Sequence, residues 1–64
     1  MTKEEYITLI NEYKLIINNL DSIRELTKDK HMNVIYAMTN VCYDYFDDFI
    51  KCIRYSAKDN GIEL

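Results

Sequence analysis

Apolar side chains recur along the first part of the chain as Tyr6, Leu9, Tyr13, Ile16, Leu20 and Ile23. The steps alternate three and four, the spacing that keeps side chains on one stripe of an α-helix. Ile10 and Ile17 widen that stripe on one side, while Ile7, Leu15 and Leu26 fall outside it. Five polar residues follow, Thr27 to His31, with no apolar anchor. A second stripe then runs Ile35, Met38, Cys42, Tyr45, Phe49, Cys52, flanked by Val34, Val41, Phe46 and Ile53. There is no proline, and the only glycine is Gly61. The pattern predicts an all-α chain: two long helices with a short turn near 27–31, the second running from about 31 to about 59.

Local signals mark the ends. Thr2 and Glu5 have the spacing of a capping box, in which each side chain satisfies a free backbone amide of the other. Glu4 and Glu5 suit the positive end of the helix dipole; Arg24 and Lys28 suit the negative end. Asp29 is a candidate cap for the second helix. Lys51, Arg54 and Lys58 gather toward its end, and Asn60-Gly61 can supply a left-handed C-cap. One site is ambiguous. Asn18 and Asn19 are poor helix formers, and Ser22 with Glu25 repeats the capping-box spacing. A break near 18–22 would give a small three-helix domain, but the apolar stripe passes through without losing register, which favours one helix.

A turn this short makes the helices antiparallel neighbours, a hairpin forming the single domain 1–64. At 64 residues such a chain is marginal alone and needs a staple. An internal disulfide fails on geometry, because Cys42 and Cys52 on one helix stand about 15 Å apart. Both occupy apolar positions and read as buried free thiols, which suit a reducing compartment. The one histidine, His31, and the absence of paired Cys or His spacings argue against a structural metal. Self-association remains. Two hairpins would cover each other's apolar faces as a four-helix bundle, with Tyr6, Leu9, Tyr13, Ile16, Leu20, Ile35, Met38, Cys42, Tyr45, Phe49 and Cys52 as dimer or core residues.

Charge narrows the function. The net charge of −3 argues against nonspecific nucleic-acid binding. "MTKEEY" is charged with no apolar run behind it, unlike a signal peptide, and no apolar run is long enough for a bilayer. The expectation is a cytoplasmic protein. Ile, Asn, Lys and Tyr make up 27 of 64 residues, a bias toward AT-rich codons that suggests a low-GC bacterial, phage or mobile-element origin, and then a host cytoplasm.

The stretch "YDYFDDF", Tyr43 to Phe49, is the densest candidate for chemistry. On a helical wheel Tyr45, Phe46 and Phe49 fall on the core side, and Asp44, Asp47 and Asp48 fall opposite with Lys51. Asp44 and Asp48 share a face and could hold Mg²⁺, but such sites recruit carboxylates from several elements and a phosphate substrate. Nothing else in the chain supplies a nucleophile, a phosphate loop or a histidine base, so neither a cofactor nor an enzyme is expected. Asp47 and Lys51 have ion-pair spacing.

The apolar arc of the second helix spans roughly 200°, more than one surface helix needs. The surplus lies on one flank: Met32, Tyr36, Tyr43 and Ile50, with Asn40 and Arg54 beside it. Extra core is one reading. The other is a tyrosine-rich strip that docks on another protein, since Tyr, Met and Arg are enriched at interface centres. The leading functional expectation is a non-catalytic protein that inhibits or regulates a larger protein partner. A second expectation is RNA binding. Chain length, hairpin plan and the opening "MTK" resemble the Rop family, plasmid copy-number regulators whose two hairpins form a four-helix bundle that holds paired RNA loops. That resemblance implies RNA-facing roles for Lys3, Lys14 and Asn18, although the first helix has no phenylalanine to take the aromatic part. Acidic mimicry of nucleic acid by Glu12, Asp44, Asp47 and Asp48 is a weaker third, since acids outnumber bases by only eleven to eight.

Overall fold

The computed structural model describes all residues, 1–64. It consists of two helices, α1 (Lys3–Thr27) and α2 (Asn33–Asp59), folded back on each other into a rod of 47 × 15 × 12 Å. α1 is unbroken through Asn18–Ser22, so the three-helix alternative is not what forms. There the Ser22 hydroxyl donates to the Asn18 carbonyl, a bond made within the helix, instead of capping a new one.

The start of α1 is the reciprocal cap. The Thr2 amide donates to Glu5 Oε1 at 2.8 Å, and the Glu5 amide donates to Thr2 Oγ1 at 3.2 Å. The end of α2 is closed by Gly61, whose φ of 75° lies in the left-handed region. The Ile62 amide reaches the Ala57 carbonyl and the Gly61 amide reaches the Lys58 carbonyl, which satisfies two orphan carbonyls of the last turn.

The turn differs from its sequence reading. Asp29 does not cap α2; the N-cap is Met32, with no side-chain hydrogen bond, and α2 begins at Asn33. Asp29 and His31 instead adopt positive φ, 59° and 58°, and so reverse the chain in five residues without glycine. Aspartate and histidine are among the residues that tolerate this region best.

The hairpin seam is built from Tyr6, Ile10, Tyr13, Ile17, Leu20 and Thr27 of α1 and Tyr36, Thr39, Tyr43, Phe46, Ile50, Ile53 and Ala57 of α2, all buried or half-buried. On α2 these follow 3-4-3-4-3-4 steps. They form a second row, displaced by one residue from the stripe that dominates the sequence. Tyr13 packs against Phe46 and Phe49 with ring centroids 5.8 and 5.6 Å apart. Arg24 lies over the Tyr43 ring at 5.1 Å, because side chains on α1 lean toward its N-terminus. The two buried threonines keep their hydroxyls satisfied within their own helices. Thr27 donates to the Ile23 carbonyl at 2.8 Å and Thr39 to the Ile35 carbonyl at 2.7 Å. At the open end, Asn60 Nδ2 donates to the Tyr6 hydroxyl at 3.1 Å, and Ser56 Oγ lies 3.4 Å from the same oxygen.

Candidate interaction surface

One residue of offset on α2 turns a side chain by about 100°. The structure therefore separates what the sequence merges. The row Ile35, Met38, Cys42, Tyr45, Phe49, Cys52, expected as dimer or core residues, is exposed in the single hairpin. Met38 and Tyr45 are 63% and 64% exposed. Both thiols are free and exposed, which corrects the expectation of buried ones. On α1 the neighbouring row is Leu9, Ile16 and Ile23, half-buried at Leu9 and exposed at the other two.

These rows lie on the same side of the rod. A shallow groove of about 250 Å³ is lined by Tyr6, Leu9 and Tyr13 from α1 and by Phe49, Cys52 and Ile53 from α2. Leu9, Ile16 and Ile23 with Ile35, Met38, Cys42, Tyr45, Phe49 and Cys52 thus form one apolar face, bordered on the α1 side by Glu4, Glu5 and Glu12, which share a hollow with Leu9. Val34 and Val41 extend it along the α2 edge.

The strip expected to dock a partner is located differently. Tyr36, Asn40 and Tyr43 are half-buried and Ile50 is buried, in or beside the hairpin's own seam, so they do not form a free docking surface. The reason is the same offset: the surplus flank of α2 is the side that meets α1. Met32 and Arg54 remain exposed. The signal that would have found this arrangement is the length of the second row, which continues to Ala57 beyond the point where the first stripe ends at Cys52.

The opposite flank is polar. Lys14 and Arg54 meet in a hollow with Ile7, Ile10, Asn11 and Leu64, and Arg54 and Lys58 line a second one with Ile62 and Glu63. Among the acids of the central stretch, Asp47 and Asp48 approach Lys51 at 3.3 and 3.9 Å. The Asp47 hydrogen bond, then the charges of Asp47 and Asp48, raise the Lys51 pKa above its ordinary value. At the other end of the rod, the hydrogen bond from the Thr2 amide, then that with the Thr2 side chain, hold Glu5 below the usual glutamate value. Both are exposed groups doing ordinary helix-surface work. No three His, Cys, Asp or Glu side chains converge as metal ligands, and neither helix is long and apolar enough to cross a membrane.

Comparison with known protein families, characterised proteins and solved structures gives no match.

Proposed function

We propose that this chain is a non-catalytic interaction protein that acts by association, regulating or inhibiting a larger protein. The observation that carries the reading is the uncovered apolar face. Soluble domains rarely leave such a continuous apolar surface open unless something docks there. Here it spans both helices while only six of the 64 residues are buried. The polar flank, with Lys14, Arg54 and Lys58 free of ion pairs, is left to contact the regulated protein. Arg54 is the residue of the expected docking set that keeps this role, being exposed beside apolar Ile7 and Leu64.

The experiment is a fluorescence titration with a dye that lights up on apolar surface, run at protein concentrations low enough to keep the chain dissociated. A helical chain should bind the dye, and Met38→Glu/Tyr45→Glu should lose it. A helical chain that binds no dye would refute the association face.

RNA binding is the second reading, favoured by Lys14 and Arg54 sharing one hollow without an acidic partner. It requires affinity for a structured RNA that falls steeply with salt and weakens in Lys14→Ala. No binding at low salt would remove it.

A further inference from the structure

The geometry points to a second copy of this chain as the occupant of the apolar face, in a two-fold dimer that is a four-helix bundle. This inference rests on the reading of that face as the association site and adds what fills it.

Area is the first support. A folded monomer of 7.7 kDa exposes about 4,300 Å². The hairpin exposes 5038 Å², an excess of about 700 Å². A stable protein interface removes about 800 Å² from each partner. The excess therefore matches what one pairing would cover.

Shape is the second. The face is two helices wide and follows α2 from Ile35 to Cys52, about 25 Å at 1.5 Å per residue. A single foreign helix seated in the groove between the rows would leave the α2 edge at Val34 and Val41 uncovered, whereas another hairpin of the same length covers groove and edge together. Each helix then has one neighbour in its own chain and one across the two-fold, which is why α2 carries two 3-4 rows about 100° apart.

Chemistry is the third. Across a two-fold axis a charged side chain meets its own copy or that of a near neighbour, and like charges repel. The nine residues of the two rows, Leu9, Ile16 and Ile23 on α1 and the row from Ile35 to Cys52 on α2, are uncharged and the glutamates beside Leu9 lie at their border, whereas the opposite flank carries Lys14, Asp21, Asp47, Lys51 and Arg54. An apolar centre with its charges at the border is suited to self-matching.

Sedimentation equilibrium of the whole chain, with the alkylation rates of Cys42 and Cys52, tests this. The mass should rise from 7.7 kDa to twice that value with concentration, and thiol alkylation should slow in parallel, because both thiols lie on the covered face. Met38→Glu/Tyr45→Glu should weaken association at least about 100-fold, since it buries charge at an apolar interface. Lys14→Glu/Arg54→Glu on the other flank should leave the mass unchanged. The thiol readout on the unaltered chain keeps the test decisive if the first variant fails to fold. A helical chain that stays at 7.7 kDa up to about 100 µM with constant thiol reactivity overturns the dimer. If that monomer still binds the apolar dye, the association face stands and only its occupant is wrong. A trimer or higher assembly overturns the two-fold arrangement.

Discussion

Met38 and Thr39 are consecutive on α2, yet Met38 is 63% exposed and Thr39 only 6%. One belongs to the outward apolar row and the other to the seam against α1. The same division separates Cys42 from Tyr43 and Phe49 from Ile50. Two adjacent surfaces share one helix, and the functional reading depends on which of them stays open.

Seam and surface should respond differently to truncation. Ile50→Ala removes a buried side chain from the hairpin seam and should cost about 2–4 kcal/mol. Leu15→Ala, at a position outside both rows, should cost less than about 0.5 kcal/mol. Urea unfolding followed by circular dichroism, at one fixed protein concentration, checks both. Equal losses at the two positions would contradict the seam.

The open end is held by a polar contact that the helical pattern does not reveal. Tyr6→Phe keeps the buried ring but removes the hydroxyl that Asn60 and Ser56 approach. The expected loss is about 0.5–1.5 kcal/mol in the same unfolding experiment. Asn60 retains its bond to the Ser56 carbonyl, so the end should loosen without unravelling.

Gly61→Ala isolates a backbone effect. A Cβ at this position meets nothing within 4 Å, so sterics against neighbours are absent. The φ of 75° alone should cost about 1 kcal/mol. Gly61→Asn should recover part of it, because asparagine tolerates the left-handed region.

The capping box makes a pH prediction. The pKa of Glu5 is lowered in the folded chain, so its contribution is present above the unfolded value and is lost as pH falls through the folded one. Following the Glu5 carboxyl by NMR should show a titration midpoint below the ordinary glutamate range. Thr2→Ala, which leaves the Thr2 amide but removes the hydroxyl partner, should move that midpoint part of the way back. Lys51 carries the opposite shift, upward, and Asp47→Asn should reduce it.

Much of the fold was readable from local signals. Polar Thr27–His31, the Thr2/Glu5 box and the Asn60-Gly61 stop are short-range features, and each sits close to where the pattern places it. The assignment of faces was not readable. On α2 the rows beginning at Ile35 and at Tyr36 both satisfy helical spacing. The first is the more apolar, so hydrophobicity alone puts it inside. Which row meets α1 is decided by the rotation that the turn imposes. That rotation comes from positive φ at Asp29 and His31, non-glycine residues whose conformation no periodicity encodes. The docking strip centred on Tyr36 and Tyr43 was misplaced for this reason, and the exposed thiols for the same one.

The most direct test of self-association as the source of stability is the concentration dependence of thermal unfolding. For a dimer of two 64-residue chains, raising concentration a hundredfold should raise the midpoint by about 10 °C. A midpoint that does not move over that range, with the chain fully helical throughout, would show that the hairpin stands alone and that its apolar face needs no twin.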